Sequence, residues 1–299
     1  MQNFSIITDS SCDLSKDLRE KYQVDLVCSR CYIDGKEYEA DPDWENVCME
    51  DFYARMRNGE RIRTSQISNV KCMEVFEKHL KAGNDILSIS CPNVLSSGYS
   101  ITCVVRDELK AKYPERKIIC IDSKSASGGL GLLVIKASML RAEGKTLEQT
   151  AEWIDNNKKY VNQEGSVDKL SYLKQAGRIS ATAAFFGGLL NIKPMIISDV
   201  HGYNVAIEKV KGRKTSIDRT IERLQENYTG EGLPFVFISH TQSEELALSL
   251  KQTIMEKLKL NQDQVFIGNV AGAMGASVGP GMFGVYFFGK EKTYDSKAN

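Results

Sequence analysis

The first half of the chain alternates short apolar runs with helical segments, and this order constrains the fold more than any other feature. The run Phe4–Thr8 ends in Asp9–Ser11, whose side chains can cap a following helix, and Asp85–Ser90 likewise precedes the helical segment Tyr99–Tyr113. Strand-loop-helix alternation is typical of a parallel sheet with helices on its faces. Residues 1–160 are therefore predicted to form an α/β/α domain with a parallel sheet.

The pattern changes after the polar stretch Lys158–Gly165, which we interpret as a passage between two domains. The apolar stretch Ala181–Ile192 is predicted to be a buried helical segment, and Met195–Ser198 with Tyr203–Val210 is predicted to form a hairpin around a His-Gly turn. Helices and strands then follow without the regular alternation of the first half. Residues 161–299 are therefore predicted to form a second domain, of the α+β class with a mixed sheet.

The charge balance narrows the range of partners. The 299 residues include 39 basic and 39 acidic side chains, so no field of one sign would attract the chain to nucleic acid or to an anionic membrane. No apolar run is long enough to span a bilayer, and the first residues do not resemble a signal peptide. We predict a cytoplasmic protein with no nucleic-acid partner and no stable membrane insertion.

The eight cysteines all lie between Cys12 and Cys120, without the close, patterned spacing of an exported disulfide framework. Cys28 and Cys31 form a CxxC pair, but no second pair and no nearby histidine completes a metal site. The cysteines are therefore expected to be reduced, small apolar side chains, and no metal site is predicted.

Hydroxyl-rich loops follow the predicted strands of the first half. Three of them are Thr8–Ser11, Ser90–Gly98 and Asp122–Gly129, and a separate loop carries Thr64–Ser68. Ligands of open α/β sheets bind at the carboxyl ends of the strands, and hydroxyls, backbone N–H groups and helix N-termini can hold a carboxylate or a phosphate. The alternative is that these residues only cap helices and form turns.

Specific catalytic signatures are missing, so no catalytic residue is predicted. The sequence has no Walker loop, no dinucleotide fingerprint and no Gly-x-Ser-x-Gly elbow. His79 is expected to be solvated on a helix, His201 to lie in a turn, and His240 to end a strand in a structural role. Asp9 and Asp122 both end strands; an acid pair or a metal site is open to them, but helix capping is the commoner role.

Six short segments, in register along nearly the whole chain, carry a resemblance to a known family. They are Ile6–Leu14, Thr64–Gln66, Leu95–Ser96, Gly177–Ser180, Leu190–Pro194 and Gly279–Gly281. Together they resemble the DegV family of bacterial fatty-acid-binding proteins. The resemblance implies a two-domain DegV-like fold in which an acyl chain occupies a tunnel between helices and sheet, closed by the second domain.

The resemblance also implies which residues hold the fatty acid. The family holds the carboxylate with the Thr of a Thr-Ser-Gln loop and the Ser of a Leu-Ser loop, and an Arg and a Gly-Pro-Gly loop approach the head group. Here the Leu-Ser loop continues with Ser-Gly where the family has Gly-Thr, so these two residues are expected to share the contact, and a Ser replaces a family His. The predicted fatty-acid-binding residues are Thr64, Ser96, Ser97, Gly98, Arg178 and Ser277.

By the same resemblance, the protein is a lipid carrier without catalytic machinery of its own. It would present the carboxylate of a long-chain fatty acid to a separate fatty acid kinase, which forms an acyl phosphate, and an acyltransferase is a further candidate partner. No cofactor is implied besides the bound fatty acid. Because Ser277 cannot be charged as a His can, fatty acid binding is expected to survive the change better than coupling to the kinase.

Two other functions stay open at this point. One is a hydrolase or transferase that uses a Ser of the same pocket as its nucleophile, which requires a base within hydrogen-bond reach. The other is a regulatory protein that binds another small anion. The shape of the pocket separates the latter from a fatty acid carrier, because an acyl chain requires a long apolar tunnel.

Overall fold

A computed structural model describes residues 4–180 and 191–298 of the chain. The strands are β1 (Phe4–Asp9), β2 (Val24–Val27), β3 (Ser29–Ile33), β4 (Lys36–Ala40), β5 (Arg63–Ser65), β6 (Asp85–Ser90), β7 (Ile118–Asp122), β8 (Val161–Ser166), β9 (Ile192–Ser198), β10 (Asn204–Lys211), β11 (Val236–His240), β12 (Val265–Asn269) and β13 (Phe283–Phe288). The α-helices are α1 (Lys16–Tyr22), α2 (Met49–Arg57), α3 (Asn69–Lys81), α4 (Gly98–Lys112), α5 (Gly128–Ala142), α6 (Leu147–Asn157), α7 (Leu170–Ala176), α8 (Arg213–Asn227), α9 (Glu244–Leu258) and α10 (Gly272–Val278). Within those residues, no helix combines the length and the apolar character that crossing a membrane requires.

The first sheet is parallel, with strand order β2-β1-β6-β7. Helices α3 and α4 pack on one face, and α5 and α6 pack on the other. Every residue of β1 and β6 is buried, which explains why these strands show no strict alternation of apolar and polar residues. The predicted α/β class with a parallel sheet is confirmed.

Helix α3 shows how local sequence signals produce these elements. Ser68 caps it, because its hydroxyl accepts a hydrogen bond from the Lys71 backbone N–H at 3.1 Å. Cys72, Phe76 and Leu80 recur every four residues and are the buried face of the helix. The opposite face carries charged side chains and stays in solvent.

The second sheet is mixed, with strand order β10-β9-β8-β13-β11-β12. Strands β11 and β12 run parallel, and the other neighbours are antiparallel. The predicted hairpin is confirmed as β9 and β10. The predicted helical segment Ala181–Ile192 lies outside the described residues over 181–190, and Ile192 begins β9.

The interpretation of Lys158–Gly165 as a passage between domains is wrong. Most of it forms β8, an interior strand of the mixed sheet. The stretch looks polar because of residues such as Gln163 and Glu164, yet both are buried. The Glu164 carboxylate is compensated by the Arg223 guanidinium, with N–O distances of 2.6 and 3.0 Å. A paired charge can therefore occupy a buried strand.

A third, antiparallel sheet has the strand order β4-β3-β5. Its hairpin turns at Asp34 and Gly35, which both have positive φ (51° and 76°) as a two-residue turn requires. The edge strand β5 carries Thr64 beside Cys31 of β3. The segment Thr64–Ser68 therefore begins in a strand, which corrects the expectation of a loop.

Helix α5 joins the cores of the two larger sheets. It is apolar around its whole circumference, and most of its residues are buried, as expected for a helix enclosed on all sides. Two glycines allow the close approach: a Cβ at Gly128 would lie 2.5 Å from the Phe237 ring, and one at Gly131 would lie 2.7 Å from the Cys12 carbonyl oxygen. One continuous core thus includes residues of both sheets. The division into domains at residue 160 stays a prediction.

Candidate functional site

A cavity of about 720 Å³ lies at the carboxyl ends of β1 and β6. Its walls also come from β5, α7, α10 and the mixed sheet, so every sheet of the protein contributes to it. The volume falls within the range of roughly 300–1,000 Å³ that is typical of small-molecule sites. The position agrees with the general rule for ligands of open α/β sheets.

The structure brings four of the six predicted site residues to this cavity and leaves two outside its lining. Ser97 is exposed at the position before α4, where its side chain caps no backbone N–H, and Gly98 is buried as the first residue of that helix. The four lining residues are Thr64, Ser96, Arg178 and Ser277. Their role in holding a ligand stays a prediction.

Thr64 and Ser96 present hydroxyl groups to the cavity from two different elements. Thr64 lies on β5, and Ser96 follows β6 in a turn closed by the Ser96 N–H donating to the Pro92 carbonyl at 3.0 Å. Among the described residues, neither hydroxyl has a hydrogen-bond partner. Both can therefore donate to an anionic group in the cavity.

Arg178 ties the end of α7 to the Ser96 turn. Gly177, with a φ of 69°, ends the helix, and the Arg178 N–H donates to the Leu173 carbonyl at 3.0 Å. The Arg178 side chain donates from Nε to the Leu95 carbonyl at 2.9 Å and from one terminal nitrogen to the Ala176 carbonyl. The guanidinium therefore both caps its own helix and contacts the loop that carries Ser96.

Ser277 lies on α10, near the end of the helix. Its hydroxyl is 3.5 Å from the Ala273 carbonyl oxygen one turn earlier. The helix ends at Val278, and the chain then turns at Gly279 and Gly281, which have positive φ values of 77° and 80°. A short helix with small side chains thus forms this part of the cavity wall.

The mixed sheet and its neighbours supply the remaining wall, which is largely apolar. Its polar part includes Gln163, whose side-chain nitrogen donates to the Asn204 carboxamide oxygen at 3.2 Å, and Asn204 also donates to the Arg178 carbonyl at 3.1 Å. These two residues were not predicted, because nothing near them in the sequence indicates a site. The apolar part includes Val167, Leu173, Ile196, Val278, Met282 and Phe283. A ligand with an anionic head and an apolar body suits such a cavity.

The histidines lie outside the cavity lining. The expectation that His79 is solvated is wrong: its Nε2 lies 2.9 Å from the Asp25 carboxylate, and its side chain is only 17% exposed. That contact also lowers the pKa of Asp25. His240 is buried and accepts a hydrogen bond from the Ser243 N–H at 3.2 Å, so its structural role is confirmed. Across residues 4–180 and 191–298, no group of three metal-binding side chains is close enough to hold an ion.

The shape of the cavity wall at α10 depends on the close contact between Gly275 and Tyr53. The Tyr53 ring is fully buried, and its hydroxyl has no hydrogen-bond partner in the described part of the chain. A Cβ at Gly275 would overlap that hydroxyl. Gly275→Ala is therefore expected to destabilise the protein by about 1–3 kcal/mol through overpacking.

Urea unfolding of three variants tests this contact. Tyr53→Phe removes the hydroxyl, so combining it with Gly275→Ala should recover most of the lost stability. Gly272→Ala in the same helix is the matched control, because its Cβ would meet Ala40 at an ordinary 3.5 Å. Equal losses in Gly275→Ala and in the double variant would contradict the assigned contact.

Comparisons with known proteins agree with this architecture. The model of the DegV family matches residues 3–290. A DegV domain-containing protein of Clostridium perfringens is 33% identical over 292 residues, which cover 98% of this chain and 99% of that relative.

Solved structures give the same result. A DegV family protein from Thermus thermophilus, described as binding fatty acid, has 25% identity and a TM-score of 0.84, with 97% of this chain and 100% of that chain covered. A stearic acid-binding protein from Eubacterium ventriosum has 24% identity and a TM-score of 0.84 over 95% and 98% of the two chains, which supports the fold. By the extent of these matches, and as its sequence segments predicted, the chain belongs to the DegV family.

Proposed function

We propose that this protein binds one long-chain fatty acid, with the carboxylate on Thr64 and Ser96 and the acyl chain along the apolar wall. The observation that carries the proposal is one cavity that combines two available hydroxyls with apolar side chains. The Thermus thermophilus relative, described as a fatty-acid-binding protein, supports it.

The energetics are consistent with an acyl chain that supplies the affinity and hydroxyls that fix the head group. Each buried methylene contributes roughly 0.8 kcal/mol, so a chain of about sixteen carbons supplies most of the affinity. The two hydroxyls fix the head group without placing a second buried charge on the protein. The exposed Arg178 at the same edge supplies a positive charge for the carboxylate.

The finer part of the proposal is that the protein carries the fatty acid to a kinase and performs no chemistry itself. A second cavity, of about 620 Å³, adjoins the first and shares Arg57 and Lys169 with it. Lys193 and Arg213 also line it, and Asp168 contacts both of these cations, at 2.7 and 3.5 Å. Four cations thus line this cavity, two of them in contact with Asp168, and such a lining suits a phosphoryl group or an acidic partner surface.

This role includes a cytoplasmic location, where a kinase has access to ATP, and an acyltransferase that would consume the acyl phosphate. The alternative of a Ser-dependent hydrolase has less support, because no histidine is found among the described residues of the cavity wall. Glu60 is the carboxylate of that wall, and it lies on an exposed loop.

Native mass spectrometry and calorimetry test the binding proposal. Protein purified from cells should carry a ligand with the mass of a long-chain fatty acid, and delipidated protein should bind palmitate with a stoichiometry of one. A polar co-purifying ligand, or delipidated protein that gives no binding heat with palmitate, would reject the proposal.

Arg178→Ala is expected to affect hand-over more than binding. Loss of a charge-assisted hydrogen bond to the phosphoryl group, worth about 1.5–3 kcal/mol, would lower acyl phosphate formation by the cognate kinase roughly 10- to 100-fold. The matched control is Arg106→Ala, which removes an arginine paired with Asp107 on α4. Palmitate affinity and phosphorylation rate are measured for both variants. If Arg178→Ala lowers stability but leaves the phosphorylation rate unchanged, Arg178 acts only through its contacts to Ala176 and Leu95 and has no role in hand-over.

A further inference from the structure

Asp9 joins the two strand ends that border the candidate head-group site. Its Oδ1 accepts a hydrogen bond from the Ser11 N–H at 3.0 Å, and its Oδ2 accepts one from the Cys91 N–H at 2.8 Å. Asp9 ends β1, and Cys91 directly follows β6. The side chain is 4% exposed, so a buried carboxyl group holds the two loops together.

The same carboxyl group lies directly beneath the Ser96 turn. Both Ser11 and Cys91 line the cavity. A Cβ placed on Gly98 would lie 3.7 Å from Asp9 Oδ2 and also 3.7 Å from the Ser96 hydroxyl oxygen. Asp9 therefore does more than the helix capping expected from the sequence, because besides capping the short turn Ser10–Cys12 it fixes the start of the loop that leads to Ser96.

The surroundings of Asp9 do not balance a negative charge. Among the described residues, no cation forms an ion pair with it. Burial raises the pKa of Asp9, and the hydrogen bonds from Cys91 and Ser11 oppose that shift. The titratable groups on the elements around it are Cys12, Asp13, Cys91, Asp122 and, through its contact with Leu95, Arg178.

We propose that Asp9 is a positioning residue for the head-group loops and that a fatty acid carboxylate bound at Ser96 favours the protonated form of Asp9, so that binding takes up a proton from the solvent. The inference rests on the proposed function, because it requires a carboxylate at Ser96. A second negative charge on the other side of this turn, in a water-poor site, disfavours the ionised form of Asp9. The charge balances, because two carboxylates and one solvent proton give a complex that holds a single negative charge.

The proposal fixes the direction of the pH dependence. Where Asp9 is ionised in the free protein, affinity should fall as pH rises, by up to about tenfold per pH unit, because each binding event needs one proton. Where Asp9 is already protonated, binding takes up no proton and the affinity is constant. Proton uptake per ligand should therefore rise towards one with increasing pH.

Calorimetric titration with laurate, kept below its critical micelle concentration, measures this uptake in buffers of different ionisation enthalpy between pH 6 and 9. Wild-type protein should take up close to one proton at pH 9, with an affinity at least about tenfold weaker than at pH 6. Asp9→Asn should bind with no uptake and no pH dependence. At pH 6 the affinity of Asp9→Asn should be lower than that of the wild type, because the amide disturbs the loops. At pH 9 it should be at least equal to that of the wild type, because the wild-type affinity falls as pH rises.

Asp122→Asn is the matched control, since Asp122 ends the neighbouring strand β7 but is paired with Lys124 at 2.6 Å. It should keep the wild-type proton uptake. A purely structural role for Asp9 would instead weaken Asp9→Asn equally at every pH. If Asp9→Asn does not fold, the wild-type protein alone is sufficient for the test. Laurate binding without proton uptake at pH 9 would overturn the inference about Asp9. Absence of laurate binding would instead reject the proposed function itself.

Discussion

The double variant Thr64→Ala with Ser96→Ala is expected to lose at least about 100-fold in affinity for palmitate while keeping its fold. A hydrogen bond to a charged group is worth about 1.5–3 kcal/mol, and each factor of ten in affinity corresponds to about 1.4 kcal/mol. Neither hydroxyl bonds to another described residue of the protein, so removing them leaves no protein group unpaired. Calorimetry with palmitate gives the affinity, and thermal unfolding shows whether the fold is retained.

The matched control for this experiment is Ser97→Ala. Ser97 is adjacent to Ser96 but exposed, outside the cavity lining and without a capping hydrogen bond. Its removal should change affinity by less than about twofold, within the usual effect of a neutral surface substitution. If Ser97→Ala weakened binding and the double variant did not, the head group would lie at the start of α4 and the assignment to Thr64 and Ser96 would be wrong.

Asp13→Asn should change stability in a pH-dependent way, because Asp13 is a buried carboxyl group without a counter-ion. The residue is fully buried, accepts hydrogen bonds from the Ala271 N–H at 3.2 Å and the Ser127 hydroxyl, and pairs with no cation in the described part of the chain. Burial raises the pKa of Asp13 to about 7. The folded protein therefore retains a proton that the unfolded chain releases near pH 4.

The sign follows from proton linkage. Between about pH 4 and pH 7 the folded state binds more protons than the unfolded state, so stability falls as pH rises and levels off above pH 7. A shift of about three pKa units corresponds to about 4 kcal/mol. Asp13→Asn should remove the cost of ionising a buried carboxyl group. It should raise the free energy of unfolding by up to about 4 kcal/mol at pH 8 and change it very little near pH 4. Asn also suits the positive φ of 54° at this position.

Urea unfolding at several pH values between 5 and 8 checks the prediction. Asp25→Asn is a control of opposite sign, since the contact with His79 lowers the pKa of Asp25. That variant should lose stability by an amount that stays nearly constant between pH 5 and 8, because the contribution of Asp25 is lost only below its unfolded-state pKa near 4. A constant difference between Asp13→Asn and wild type at all pH values would contradict a titrating Asp13.

The parts of the fold that the sequence predicted are those with strong local signals. The apolar runs of β1 and β6 and the capping residue Ser68 are local features, and the structure confirms the elements they indicate. Strand β8 was missed because its stability comes from a distant partner, Arg223, which compensates a buried Glu164. No local sequence pattern indicates an ion pair between residues that lie 59 positions apart.

The residues of the candidate site likewise include some that the sequence predicted and some that it did not. Thr64 and Ser96 follow from hydroxyl-rich segments and from the family resemblance, and both line the cavity. Ser97 stays a predicted contact residue; it is exposed at the position before α4 and lies outside the cavity lining. Gln163 and Asn204 reach the cavity only because β8 and β10 belong to one sheet, and strand order is not readable from spacing along the chain.

Helix α5 limits how the two halves of this chain can be exchanged for those of other proteins. Gly128 in the first half is packed against Phe237 and Tyr286 of the second half, and a single added Cβ would collide with both rings. A second half taken from a distant relative would have to reproduce these rings to fit the same helix. Tyr286 also lines the cavity, so changes to that wall are constrained by the interior.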